Sequence, residues 1–126
     1  MESAPQYSAL LLDHYRNPRN VGTLPDPRGL AQRENQVCGD KLQIFVRVES
    51  DAVKDIRFKA EGCIPVIALA SYATEWAMGR KVGEVQRLSP PQLASALGEL
   101  PQHKLHAALL VIETLRSALT DSFLKK

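Results

Sequence analysis

Cysteine is scarce in this chain: its 126 residues hold two, Cys38 and Cys63. That excludes a framework of several disulfides. In a reducing compartment, a close pair points to metal binding or redox chemistry rather than to a structural staple. Runs of like charge are also missing. No five consecutive residues share a sign, and 16 Lys and Arg against 14 Asp and Glu leave a net charge of +2, so nothing marks a nucleic-acid or membrane surface. The triplet Leu10-Leu11-Leu12 is far shorter than a signal-peptide apolar region, and no apolar run approaches the roughly 18 residues of a membrane span. These absences lead to the expectation of a soluble, cytoplasmic protein. Internal repeats and flexible linkers are absent too. With 44% hydrophobic residues, residues 1–126 are long enough for one core and too short for two comfortable domains, so a single domain is expected.

What is present is organised around the stretch joining the two cysteines. Residues 41–49 alternate, with Leu42, Ile44, Val46 and Val48 on one face and Lys41, Gln43, Arg47 and Glu49 on the other. Phe45 is the apolar exception, and the pattern is that of a half-buried strand. Ser50-Asp51-Ala52 supplies turn residues. Alternation then resumes, with Ile56, Phe58 and Ala60 facing one way and Asp55, Arg57 and Lys59 the other. A turn centred near Asp51 pairs residues whose numbers sum to about 102. Cys38 then falls opposite residue 63 or 64 and, with strands roughly 4.8 Å apart, both thiols emerge at one end of the hairpin. They can share a disulfide or a metal.

Helical spacing of Tyr7, Leu10, Leu11 and Tyr15 predicts an opening helix over residues 7–15, stopped by Asn17-Pro18. The stretch from Asn17 to Pro27 reads as an ordered surface loop. Residues 29–32 read as a short third edge strand, because a two-stranded sheet is seldom stable alone. After Cys63 the period becomes helical, with Val66, Leu69, Ala70, Ala73 and Ala77 buried, Trp76 a core aromatic and Gly79 at the end. Pro65 fits that helix's first turn, which places Cys63 at a helix N-terminus, where unpaired N–H groups favour the thiolate and lower its pKa. Ser89-Pro90-Pro91 caps a short helix containing Leu93, Ala94 and Leu97 and closed by Gly98. The last helix shows a core stripe of Leu105, Ala108, Leu109, Ile112, Leu115 and Leu119 opposite Glu113, Arg116 and Thr120, with His106 in its first turn. The fold class is α+β: a small antiparallel sheet of about three strands with helices packed on one face.

The motifs Tyr7-Ser8, Asp13-His14-Tyr15, Asn17-Pro18-Arg19-Asn20-Val21-Gly22, Cys38-Gly39-Asp40, Phe58-Lys59, Gly62-Cys63, Thr74-Glu75-Trp76 and Leu100-Pro101 with Lys104 and His106 occur in this order along nearly the whole chain. Together they resemble the IscU/NifU-type iron-sulphur cluster assembly scaffold family. The resemblance implies a site, ringed in the family by three cysteines, an aspartate and a histidine, on which a [2Fe-2S] cluster is built and then passed on. Cys38, Asp40, Cys63 and His106 match four of those positions, and Lys104 matches a lysine beside the site. Ala107 stands where the third cysteine would directly follow the histidine.

Two thiolates, one carboxylate and one imidazole form a full tetrahedral set for zinc and a mixed set for iron, and the weaker oxygen and nitrogen ligands suit transient binding. The resemblance further implies a cysteine desulfurase, cluster acceptor proteins and a chaperone as partners. Tyr7, Arg16 and Arg19 are expected to serve the desulfurase contact, and the chaperone stretch reads Leu100-Pro101-Gln102-His103-Lys104. The expected protein is a binding and transfer platform, not an enzyme. Two other readings stand beside it: a degenerate paralogue holding structural or regulatory zinc, and a thiol-redox protein using Cys38 and Cys63 as a reversible disulfide. His14 and His103 read as structural or solvated. Residue 107 is expected to border the site, so that a cysteine there would accept sulphur.

Overall fold

The computed structural model describes residues 7–25, 28–35, 39–98, 100 and 104–124. The chain order is α1 (Ala9–Arg16), β1 (Gly29–Asn35), β2 (Asp40–Glu49), β3 (Ala52–Glu61), α2 (Ile64–Ala77), α3 (Val82–Gln86), α4 (Pro90–Ala96) and α5 (His106–Leu124). The strands form one antiparallel sheet in the order β1-β2-β3. α5 packs on β1 and β2, α2 on β3 and α5, and α1 on α2. One face of the sheet is therefore covered by helices, as the alternation requires.

The central hairpin follows the expected register over most of its length, with Arg47 opposite Asp55 and Lys41 opposite Glu61. Ser50 and Asp51 form its two-residue turn, both with positive φ (53° and 63°), the backbone of a type I′ turn matched to strand twist. Next to the turn the register shifts: Val48 pairs with Val53 and Arg47 with Asp55, leaving Lys54 as the extra residue of a bulge. The bulge lets Val53 and Ile56, three positions apart, both reach the core. Leu42, Ile44, Val46, Ile56 and Phe58 supply the sheet's buried side.

Several expectations need correction. In α1 the buried residues are Leu11 and His14, while Leu10 and Tyr15 are exposed, because α2 meets the helix on the Leu11–His14 side. Ser8 caps this helix, accepting from the Leu11 N–H at 3.0 Å and donating to the Leu97 carbonyl. The stretch after Asn17 is not only loop. The Asn20 carbonyl and Gly22 N–H pair with Phe58 of β3 at 2.9 Å each, extending that edge of the sheet. Asp26 and Pro27 fall outside the described residues. β1 runs on to Asn35, past the predicted end at residue 32. α3, five residues long, was not anticipated.

In α5 the buried face is Ala107, Ala108, Leu110, Val111, Ile112, Leu115, Ala118 and Leu119. Leu105 precedes the helix, and it and Leu109 are 44% and 47% exposed. The helix is rotated toward its small alanines, which let it approach the sheet closely. Trp76 is half-buried at the margin of the core. α2 and α4 match expectation, including the Ser89–Gln92 capping box and Gly79 and Gly98 just past their ends. Among the described residues no helix is long and apolar enough to cross a membrane.

Candidate metal centre

Three elements deliver the site. Asp40 is the first residue of β2, reached through Gly39, whose φ of 73° is easy only without a Cβ. The Gly39 N–H donates to the Asn35 carbonyl at 2.7 Å, closing the β1–β2 connection. Cys63 is the N-cap of α2, separated from the end of β3 by Gly62 alone. His106 opens α5. Sheet pairing brings the start of β2 to the end of β3, and packing of α5 on the sheet brings His106 over both.

The three side chains converge on one carboxylate. Asp40, only 1% exposed, accepts the Cys63 backbone N–H on Oδ1 at 2.9 Å. The Cys63 thiol donates to its Oδ2 at 3.6 Å, and His106 Nε2 lies 3.5 Å from the same oxygen. The ligand atoms of Asp40, Cys63 and His106 all lie within 4.8 Å of one another. A tetrahedral cation with bonds of roughly 2.0–2.3 Å needs ligand–ligand edges of about 3.3–3.8 Å. The two edges at Asp40 already have that length. A proton shared between ligands occupies the place where a cation would replace it, so the donor set fits a thiophilic metal.

The electrostatics of Cys63 depart from expectation. Burial pushes its thiol pKa up, and that outweighs the hydrogen bond from the Val66 N–H at the start of α2, which pulls it down. The Asp40 carboxylate raises it further, while the Lys104 ammonium lowers it. The helix terminus acts in the predicted direction but loses to desolvation. A cation among the ligands would supply the charge that the thiolate lacks in the metal-free protein.

Gly62 carries a role that the sequence did not reveal. Its φ is +149°, and a Cβ there would overlap Asp40 Oδ1 and stand 2.9 Å from the carboxylate carbon. Its sequence signal was a glycine immediately before Cys63 at a strand-to-helix junction. Of the expected site residues, Asp40, Cys63 and His106 are brought together, and Lys104 is near enough to act on the thiol. Cys38 lies outside the described residues, as do Pro101, Gln102 and His103 of the expected chaperone stretch. Ala107, next to His106, presents no open surface. It is fully buried in the core, because the 100° step from His106 turns it toward the sheet.

The model of the NifU-like N-terminal domain matches residues 6–126. The chain belongs to the NifU-like N-terminal domain family. Within it, the chain is 40% identical over 119 residues to the iron-sulfur cluster assembly scaffold protein IscU 1 of Archaeoglobus fulgidus, covering 94% of this chain and 78% of that protein. It is 34% identical over 119 residues to the scaffold protein IscU of Escherichia coli, covering 91% of this chain and 92% of that one. Among solved structures, the NifU-like N-terminal protein of Brucella abortus superposes with a TM-score of 0.78 at 14% identity, over 94% of this chain and 95% of the other. The scaffold protein assigned to the SUF system of Fervidobacterium islandicum superposes at 0.75 and 19% identity, over 90% and 96%. At those identities the superpositions speak for the family's α+β fold alone.

Proposed function

We propose that this member of the NifU-like family is an iron-sulphur cluster assembly scaffold, acting as one cytoplasmic domain over residues 1–126. It binds iron or a [2Fe-2S] cluster transiently through Cys38, Asp40, Cys63 and His106, with Lys104 beside them, and passes it to acceptor proteins. The convergence of Asp40, Cys63 and His106 from three separate elements onto one point carries this reading, and the curated relatives named as scaffolds support it. The platform has no turnover of its own. Sulphur comes from a cysteine desulfurase and release is aided by a chaperone. Tyr7, Arg16 and Arg19 serve the desulfurase contact, Arg19 with its guanidinium paired to Asp13 at 2.7 Å.

Ala107 favours a second reading. One thiol fewer than the family set leaves a ligand quartet that is complete for zinc, and a paralogue holding zinc without building clusters follows from it. Anaerobic reconstitution with desulfurase, cysteine and ferrous iron, read by visible absorption and by transfer to an apo-ferredoxin, separates the two. The scaffold reading expects wild type to assemble and transfer a cluster. If it builds no cluster while holding zinc, the zinc paralogue stands.

A further inference from the structure

A second concave site lies between α2, α3 and α4, and none of its lining residues belongs to the metal centre. Its volume is about 350 Å³, at the lower end of the range of roughly 300–1,000 Å³ for small-ligand clefts. Tyr72 and Trp76, four residues apart on α2, form an aromatic floor; Glu84, Arg87 and Leu88 form one wall and Gln92 of α4 the other.

The polar groups of this cleft are sorted by sign. Each acceptor group on its walls already holds a donor. The Glu84 carboxylate takes the Arg80 guanidinium at 2.7 Å, Gln92 Oε1 takes the Ser89 N–H at 3.0 Å, and the Leu88 carbonyl takes Arg116 Nη2 at 2.9 Å. The donors are left over. Among the described residues, the guanidinium of Arg87, the Tyr72 hydroxyl, the Trp76 indole N–H and the Gln92 amide N–H₂ make no hydrogen bond.

The donors are also held in place. The Ser89–Gln92 capping box fixes the Gln92 amide so that its nitrogen points away from the helix end. Arg80 stacks over the Trp76 ring at 4.3 Å and is tied to the Trp76 carbonyl at 2.7 Å, which fixes the indole and leaves Arg80 neutralised by Glu84. Among the described residues Arg87 makes no ion pair, and it lines the same cleft as Tyr72 and Trp76. A site offering donors, such a cation and an aromatic surface is complementary to a planar anion.

We propose that the cleft of Tyr72, Trp76, Arg87 and Gln92 binds a small organic anion with a flat ring system and a carboxylate, the ring lying on the aromatic floor and the carboxylate paired with Arg87.

Trp76 is the only tryptophan of the chain, so its single indole N–H resonance reports on the cleft directly. The full-length protein is titrated with 2-naphthoate, with its neutral amide 2-naphthamide, and with acetate, which keeps the charge and lacks the rings. The expected result is a saturable shift of the indole resonance with 2-naphthoate, and affinity at least about tenfold weaker for both controls, since a charge-assisted pair is worth a factor of that order. Arg87→Gln should lose about tenfold for 2-naphthoate and nothing for 2-naphthamide. Tyr72→Phe, which removes one hydroxyl and no packing, should keep the fold and weaken binding severalfold. No saturable shift, equal affinity for acid and amide, or an unchanged affinity in Arg87→Gln overturns the proposal. Tighter binding of the acidic peptide Gly-Glu-Glu-Glu-Gly than of 2-naphthoate also overturns it, and makes the cleft a docking point for an acidic protein segment.

Discussion

Gly62→Ala tests how the site is built. The added methyl would overlap Asp40 Oδ1, and the backbone sits at φ +149°, where a side-chain-bearing residue costs of order 1–3 kcal/mol. Relieving the overlap pushes the carboxylate off the Cys63 N–H, and overpacking of a closed site typically adds about 1–3 kcal/mol. Together the loss is about 4 kcal/mol, a large share of the roughly 5–15 kcal/mol that holds a domain folded. At about 4 °C per kcal/mol for a chain of this size, the melting temperature should fall by about 15 °C. Urea unfolding of the metal-free protein measures the stability term, and metal content after dialysis against one equivalent of zinc measures the site. Gly83→Ala is the internal control. Gly83 has no positive φ, and its nearest neighbour for a Cβ is the Arg87 side chain at 3.8 Å, so alanine there should stabilise α3 by about 0.5–1 kcal/mol. A Gly62→Ala protein within about 1 kcal/mol of wild type, carrying a full equivalent of zinc, would refute the claim that this glycine makes room for Asp40.

Three further outcomes are expected. Cys63→Ser and His106→Ala should each abolish stoichiometric zinc or iron binding, and unchanged metal content in both would remove the shared site. Metal added to wild type should raise the melting temperature in a concentration-dependent way, because binding to the folded state alone stabilises it. His14 is 3% exposed and bonded to Ser71 at 2.7 Å, and burial lowers its pKa below 6.5. The folded state therefore takes up a proton less readily than the unfolded chain, so stability is full above pH 6.5 and is lost as pH falls below it. His14→Gln should flatten that slope in chemical denaturation between pH 7 and 5, and an unaltered slope would place the acid sensitivity elsewhere.

Much of this was legible in the sequence where a pattern is local. The period-two run from Leu42 to Val48 and the turn at Ser50-Asp51 fixed the hairpin, and with it the pairing of the start of β2 with the end of β3; the register pointed to Cys38 opposite residue 63 or 64, and Cys38 lies outside the described residues, whereas Asp40 came from the motif resemblance. The bulge at Lys54 was not legible: Val53 and Ile56 break the alternation, and only the partner strand shows why. α3 is little more than one turn and contains Gly83, too short for a period to emerge. In α5, apolar residues lie almost all round the N-terminal half, so the stripe through Leu105 and Leu109 looked as good as the true one through Ala107, Val111 and Ala118. Motif resemblance, not spacing, singled out His106, whose approach to Asp40 depends on how α5 crosses the sheet. The raised pKa of Cys63 depends on burial, and the crowding at Gly62 on a carboxylate that pairing brings across from another strand; neither is a property of a sequence window.

The origin of the three candidate ligands on separate elements has a mechanical consequence. Asp40 and Cys63 belong to one hairpin and the helix that continues it, whereas His106 arrives on α5 after a further stretch of roughly 40 residues, a loop whose closure is entropically costly and grows only slowly costlier with length. An ion held by all three is thus a cross-link between the start of α5 and the sheet. While it is bound, that end of the helix is tethered through the ion as well as through its own packing; when it leaves, the burial of Ala107 and Ala108 and the approach of His106 to Asp40 remain to hold it. Handing over the cargo and slackening the helix end are one event seen from two sides, so whatever grips the loosened end favours departure of the ion without touching it.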